Sequence, residues 1–368
     1  MSYQSGRMGV AEGIALTFTI TFTTAFLTLP AEAIDTSGEL GWLSVIVAGL
    51  STMAMLFLLI YVFERIPGDL FFVATSLFGK PGAYLISMFY IIMFLSMATL
   101  WIRQFADNTL ITAMPLLDFS IAVGWYALGA AFLLFFGIEA IARANYVILP
   151  FGIGGTILVL ALLSPLWKFN YLLPWQGTGM ASALIKGGVL VGSNAGALLL
   201  AVIAKSFQSP RVLKAAAVFG LGGSVLVKTI SILIFTMVYG TAVAMERALP
   251  FFEMSRLVSL NRYIQRIESI FVILWVITGI LGIAISIYMS LYLMTRLVNL
   301  PTMKPLIPVV TLLLAHVAMI PSDVSSVLAF EGFMVRGYYL IGIYVIPLLL
   351  FAATLLKEKR GKKCASGQ

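Results

Sequence analysis

The chain has few charged residues and almost none of the side chains that hold metals. Charged residues make up 10% of its 368 positions, and it contains one cysteine, Cys364, and one histidine, His316. One cysteine excludes an intrachain disulfide and a thiolate metal site, and one histidine excludes haem, copper and protease centres built on paired imidazoles. We therefore predict no metal site, no cofactor and no catalytic residues.

The remaining composition is strongly apolar. Hydrophobic residues make up 61% of the chain, whereas soluble domains have roughly 45–50% apolar and 25% charged residues. This balance is typical of a polytopic membrane protein. The net charge of +8 is spread over short loops and a tail, without the interleaved aromatics of a nucleic-acid surface. We therefore expect a lipid bilayer and no nucleic acid among its partners.

Long apolar stretches define the predicted architecture. A helix of about 20 apolar residues can cross roughly 30 Å of hydrocarbon. The sequence predicts an all-α bundle over residues 1–356, with repeat halves at about 9–164 and 179–356 and a basic cytoplasmic tail at 357–368. The ten predicted spans are about 9–35, 41–63, 81–106, 119–138, 140–164, 179–205, 211–240, 266–297, 304–320 and 333–356.

The distribution of charge predicts the orientation of the bundle. An even number of spans places both termini on the same side of the membrane. If that side is the cytoplasm, most of the 23 lysines and arginines face it, in agreement with the positive-inside rule. Acidic residues such as Asp323 and Glu331 then fall in outer loops. We predict a multi-pass protein with both termini cytoplasmic.

Two of the predicted spans are interrupted in their middles. The first carries Thr23–Pro30 and the sixth carries Val191–Gly196. Irregular backbone survives at membrane depth only where it lines a cavity or is buried in protein. A five-plus-five inverted repeat pairs the first span with the sixth, and matched breaks of this kind indicate a small-molecule site near the bilayer midplane.

The first span is rich in threonine. A threonine hydroxyl often bonds a carbonyl of the preceding turn, which explains an isolated threonine but not several that spread around the helix. Small and hydroxyl-bearing residues ahead of Pro30 favour an unwound elbow whose amides face a ligand. We predict ligand contacts at Thr23, Thr24, Ala25 and Phe26.

The sixth span allows two interpretations. Gly188, Gly192 and Gly196 have the spacing of a close helix–helix contact, but they also permit unwinding. Ser193 and Asn194 favour a site, since an asparagine in hydrocarbon needs partners. We predict ligand contacts at Gly192, Ser193 and Asn194.

The ends of broken helices also indicate the class of ligand. The N-terminus of a half-helix attracts a carboxylate, and freed carbonyls attract an ammonium group. An α-amino acid carries both groups and is therefore the natural ligand for this geometry. Side walls are predicted from the third and eighth spans, at Tyr90, Met93 and Ser286.

Among the ionisable residues of the apolar spans, Lys228 and Glu12 are the most awkwardly placed. Lys228 lies in the seventh, where a lysine costs roughly 2.5–3.5 kcal/mol on insertion scales. It is either a structural partner or a fixed cation that replaces a coupling ion or senses a ligand carboxylate. Glu12 lies near the start of the first span, where a solvated interfacial side chain is favoured over a protonation switch.

Several short motifs carry a family resemblance. The segment Gly137-Ile138-Glu139-Ala140-Ile141-Ala142-Arg143 resembles the Gly-x-Glu-x-x-x-Arg signature of the endospore germination permeases. These are the B subunits of spore nutrient-germinant receptors, in the amino acid–polyamine–organocation superfamily. Further segments are similar to that family's pattern, in order along the chain: Leu29-Pro30, Gly41-Trp42, Leu172-Leu173-Pro174, and Arg266-x-Glu268 with Trp275.

The resemblance implies a ten-helix, LeuT-like bundle that binds a nutrient, often an amino acid. It implies partners as well, an A-type subunit and a lipoprotein C-type subunit, in the spore inner membrane. One departure is the neutral break at Gly192-Ser193-Asn194, where many family members carry an acid. A stand-alone proton-coupled amino-acid transporter in the cell membrane and a structural assembly subunit are the alternatives.

Overall fold

The computed structural model describes residues 8–174, 176–247, 249–258 and 268–365. Short 3₁₀ and π segments join the α-helices of these residues. The α-helices are α1 (Val10–Phe22), α2 (Leu29–Ser37), α3 (Gly41–Arg65), α4 (Leu70–Thr112), α5 (Phe119–Leu162), α6 (Met180–Val189), α7 (Leu199–Val202), α8 (Pro210–Ala215), α9 (Gly222–Tyr239), α10 (Thr241–Met245), α11 (Pro250–Leu257), α12 (Glu268–Val298), α13 (Leu306–Met319), α14 (Val324–Phe333) and α15 (Ile346–Ala365).

Most of the helical stretches are long and apolar enough to cross a membrane. Among the described residues seven such stretches occur, and two shorter apolar helices, Val10–Phe26 and Leu306–Met319, accompany them. The predicted all-helical, polytopic architecture is confirmed. The seven are Leu29–Arg65, Leu70–Thr112, Phe119–Leu162, Met180–Val202, Pro210–Tyr239, Phe271–Val298 and Val324–Lys359.

Helix α5 explains why the number of spans stays a prediction. Its 44 residues would measure about 66 Å in a straight helix, roughly twice the thickness of the hydrocarbon. Gly137 interrupts it with φ 80° and ψ 177°, a left-handed φ that glycine adopts without steric cost. The two spans predicted at 119–138 and 140–164 therefore meet at Gly137.

The predicted break in the first span is confirmed. Helix α1 ends at Phe22 and continues as a short 3₁₀ helix over Thr23–Phe26, after which Leu27 leaves the helical region with φ −106° and ψ −125°. The chain resumes as α2 at Leu29. Pro30 lies in its first turn, where a proline costs no hydrogen bond because that amide has no intrahelical partner.

The break in the sixth span is longer. After α6 the backbone winds as a 3₁₀ helix over the nine residues Leu190–Leu198, all of them buried, before the four-residue α7. A 3₁₀ run beyond about four residues is uncommon because its hydrogen-bond geometry is poorer than that of an α-helix. The surrounding bundle, rather than the local sequence, must hold this segment.

The last helical stretch begins earlier than predicted. Asp323 caps α14 by accepting a hydrogen bond from the Ser326 amide at 2.8 Å, and this bond, with those from the Ser322 and Ser326 hydroxyls, holds the pKa of Asp323 below its usual value. The helix thus starts at Val324 and not at residue 333, because the Asp323 cap stabilises the helical turns between these two positions. It continues through two π segments into α15, which runs to Ala365, through most of the predicted tail.

The Gly-x-Glu-x-x-x-Arg segment links the second half of α5 to the start of α1. The Arg143 guanidinium lies 3.6 Å from the Glu12 carboxylate and 3.8 Å from that of Glu139. Glu12 also accepts a hydrogen bond from the Gly9 amide at 2.8 Å, so it caps the start of α1. Arg266 of the other motif lies outside the described residues.

Gly192 allows the closest backbone approach in the centre of the bundle. A Cβ at this position would lie 2.0 Å from the Val335 carbonyl oxygen, which belongs to the π segment Met334–Tyr338 of the last helical stretch. Gly188 lies four residues earlier, and a Cβ at this position would meet only the Tyr344 hydroxyl, at 3.9 Å.

We predict opposite outcomes for alanine at these two glycines. Gly192→Ala pushes the 3₁₀ segment away from Val335, with a cost of at least about 1–3 kcal/mol, and lowers the thermal unfolding midpoint of the purified protein. Gly188→Ala is the matched control and leaves the midpoint unchanged. Equal midpoints for the two variants would contradict the close approach.

Candidate functional site

The two helix breaks meet at a small central cavity. Its volume is about 20 Å³, enough for roughly one water molecule. The lining comes from the first break, the sixth break, α4 and the last helical stretch, so residues far apart in sequence converge here. The lining residues are Thr24, Met97, Leu100, Trp101, Gly192, Ser193, Glu331, Val335 and Tyr339.

A hydrogen bond joins the two breaks directly. The Thr24 hydroxyl lies 3.3 Å from the Ser193 carbonyl oxygen and 3.1 Å from the Thr21 carbonyl oxygen, and it donates to them. The Ser193 hydroxyl donates to the Leu190 carbonyl at 2.8 Å. Of the predicted contact residues, Thr24, Gly192 and Ser193 are therefore brought together around one cavity.

The other residues of the first break pack away from this cavity. Thr23 donates to the Thr19 carbonyl at 2.8 Å and presses against Gly282 of α12. Ala25 is buried. Phe26 stacks edge-on against Phe251 and Phe271, with ring centroids 5.4 and 5.7 Å apart.

Asn194 and Lys228 form a buried pair that does not line the cavity. The Lys228 ammonium donates to the Asn194 side-chain oxygen at 3.0 Å, and the Asn194 amide lies 3.5 Å from the Thr52 hydroxyl. Lys228 is 1% exposed, and no carboxylate of the described residues lies within ion-pair distance. The contact ties the sixth break to α9 and α3.

The three predicted side-wall residues make packing contacts. The Tyr90 hydroxyl donates to the Gly342 carbonyl at 2.8 Å, and the Met93 sulfur lies close to the same glycine. Ser286 donates to the Gly282 carbonyl of its own helix at 3.0 Å. All three side chains are fully buried, and none of them lines the central cavity.

A larger cavity, the vestibule, lies next to the central one. It has a volume of about 400 Å³ and is lined mainly by α2, α4 and α14. Glu331 lines both cavities, so it stands at the boundary between them. The polar and charged lining residues are Thr28, Glu32, Asp35, Gln104, Asp107, Asn108, Glu246, Arg247, Glu331 and Arg336.

Glu331 is a candidate functional residue that the sequence interpretation did not single out. Its carboxylate accepts hydrogen bonds from the Gln104 amide at 2.7 Å and from the Thr28 hydroxyl at 2.9 Å, and the residue is 9% exposed. The last span was predicted to begin at 333, which left Glu331 in a loop. An acid inside the apolar run 324–333 was the signal that could have identified it.

Solved structures with a similar fold are membrane transporters. A Na⁺-coupled sialic acid symporter, in a substrate-bound outward-open state, matches 92% of this chain and 80% of its own, with a TM-score of 0.63 and 14% identity. A mutant of the manganese transporter of Eremococcus coleocola matches 94% and 76%, with a TM-score of 0.60 and 12% identity. These likenesses confirm the LeuT-like fold. No curated protein matches the chain.

The sequence also matches a protein family along most of its length. The family model described as "Spore germination protein" covers residues 7–327, which include both helix breaks and the Gly137–Arg143 motif. The resemblance of those motifs is thereby confirmed, and the fold is that of a multi-pass, transporter-like membrane protein. The chain belongs to the spore germination protein family.

Proposed function

We propose that this protein is a subunit of a nutrient-germinant receptor that binds a small nutrient, an amino acid, between its two helix breaks. The observation that carries the proposal is the central cavity itself, where Thr24 of one break bonds Ser193 of the other. Thr24, Gly192 and Ser193 line that cavity and are the proposed first contacts. The other predicted residues would reach the ligand only once the breaks separate; they are Thr23, Ala25, Phe26, Asn194, Tyr90, Met93 and Ser286.

The size of the cavity supports a sensing mechanism. At about 20 Å³ it is too small for an amino acid, so binding must separate the two breaks from each other or from the last helical stretch. A ligand shifts a conformational equilibrium only by its differential affinity for the two states. The Thr24–Ser193 bond and the contact of Gly192 with Val335 are the interactions that such a shift would change.

The chemistry of the breaks supports an amino acid. The 3₁₀ segments of the two breaks pair their amides and carbonyls with poorer geometry than an α-helix does, so separation of the breaks would free backbone groups for a ligand. Such groups recognise a carboxylate and an ammonium at short range. In this proposal both termini are cytoplasmic, the membrane is the spore inner membrane, and A-type and C-type subunits detect the movement.

A stand-alone, proton-coupled amino-acid transporter is the second candidate. The observation that favours it is the fold, since the similar solved structures are transporters. Uptake of an amino acid into liposomes that contain only this protein would favour transport. Co-purification with two partner subunits, and no uptake without them, would favour the receptor.

A ligand screen tests the proposed function. Purified protein in lipid nanodiscs is heated with each standard amino acid and with common sugars. Because a ligand that binds only the folded state stabilises it, we predict that at least one amino acid raises the unfolding midpoint by several degrees and triggers germination of spores that carry the protein. A response of the spores without any stabilisation of the protein would place the binding site elsewhere.

A pair of threonine substitutions tests the position of the site. Thr24→Val keeps the side-chain shape but removes a hydroxyl that, in this proposal, bonds the ligand once the breaks separate, so we predict roughly three- to tenfold weaker binding of the stabilising amino acid.

Thr21→Val is the matched control for that substitution. The Thr21 hydroxyl donates to the carbonyls of Thr17 and Phe18 in its own helix, so its loss should leave the affinity unchanged. Equal affinities for both variants and the unmodified protein would contradict a ligand site at the first break.

A further inference from the structure

Glu331 is a buried carboxylate without a basic partner. Both of its hydrogen-bond donors, Gln104 and Thr28, are neutral. Arg336, the basic residue nearest to it along the chain, is paired with Glu32 at 2.9 Å instead. Among the described residues no lysine, arginine or histidine forms an ion pair with Glu331, so only neutral hydrogen-bond donors contact its carboxyl group.

One of those donors lies at the start of α2, in the broken first span. Thr28 is the N-cap of α2, and its hydroxyl donates to Glu331. The N-terminus of a helix carries partial positive charge and stabilises a nearby anion. Glu331 thus occupies the position at the start of α2 that a ligand carboxylate would otherwise take.

An unpaired acceptor lies beside this carboxylate. Gln104 is 5% exposed, and its side-chain nitrogen donates to Glu331, while its side-chain oxygen is buried with no hydrogen-bond partner. A buried acceptor without a donor costs about 1–3 kcal/mol. Gln104 and Glu331 both line the vestibule, so a donor that enters through it can satisfy the two groups together.

The vestibule as a whole attracts cations. Its lining contains five carboxylates, those of Glu32, Asp35, Asp107, Glu246 and Glu331, and two guanidinium groups, those of Arg247 and Arg336. A cleft with an excess of one sign raises the local concentration of the opposite charge. A positively charged solute is therefore drawn towards the floor of the vestibule, where Glu331 lies.

We propose that Glu331 and the Gln104 side-chain oxygen bind the ammonium group of an amine-bearing nutrient at the boundary between the vestibule and the central cavity. An ammonium offers three donors and no acceptor, which suits a carboxylate next to a free amide oxygen. The ligand's other end then points towards Thr24 and Ser193. This inference rests on the proposed function, because it orients the ligand of that same site.

The direct test compares ligand forms and one isosteric variant. The amino acid that stabilises the protein most in the screen is titrated together with its N-acetylated and decarboxylated forms. We predict that the decarboxylated amine binds and the N-acetylated form does not. Glu331→Gln, which keeps an oxygen for Thr28 and Gln104, weakens binding of the amino acid on the order of 10- to 100-fold and leaves the ligand-free unfolding midpoint unchanged.

Glu246→Gln is the charge-matched control. Glu246 is an exposed carboxylate at the wall of the same vestibule, so its removal changes the affinity by less than about fivefold. An equal loss in both variants would overturn the local contact in favour of a general field. Gln104→Met, which removes the free acceptor but not the charge, serves as the second variant if Glu331→Gln does not fold.

Two further arms separate this inference from the proposed function. If a sugar stabilises the protein and Glu331→Gln binds it equally well, the receptor function stands, but the amino-acid ligand and the ammonium contact are both overturned. If sodium chloride, compared with choline chloride, stabilises the protein without amino acid and Glu331→Gln abolishes the effect, the site binds a metal cation and the inference is again overturned. If no solute stabilises the protein, the proposed function itself fails.

Discussion

The structure depends on one constraint, which is that a backbone amide or carbonyl cannot remain unpaired in hydrocarbon. Each such group costs several kcal/mol, so an interrupted helix is stable only when protein surrounds the interruption. Here the two interrupted segments pack against each other in the interior of the bundle. Every residue of Leu190–Leu198 is buried, and the side chain of Thr24 reaches across to the Ser193 carbonyl. A ligand that inserts between them must replace these contacts.

Two further elements, the last helical stretch and α9, hold the sixth break in place. The π segment of the last helical stretch approaches Gly192 through the Val335 carbonyl. The buried Lys228 of α9 donates a hydrogen bond to the side chain of Asn194. On the other side of the cavity, Glu331 joins α14 to Thr28 at the start of α2. These contacts connect the breaks to α9, to the last helical stretch and, through the Gln104–Glu331 hydrogen bond, to α4. A movement at the cavity would therefore displace several helices.

The sequence was sufficient to predict the fold class and both breaks, because apolar length and the cost of irregular backbone in lipid are properties that can be read locally. It also identified Thr24, Gly192 and Ser193, which the structure brings together. Phe26, Tyr90 and Met93 could not be oriented in advance, because the face that a side chain presents depends on how α4, α11 and α12 pack. Glu331 was missed because the cap at Asp323 extends the last helix into a segment that was predicted as a loop.

The central claim is that the two breaks form one ligand site, and backbone hydrogen exchange measures it most directly. The full-length protein in nanodiscs is compared with and without the amino acid that stabilises it, and exchange is followed peptide by peptide. We predict that ligand-induced slowing of exchange is concentrated in residues 23–28 and 190–198 together. Slowing that is confined to one of these segments, or that occurs only elsewhere in the chain, would contradict it.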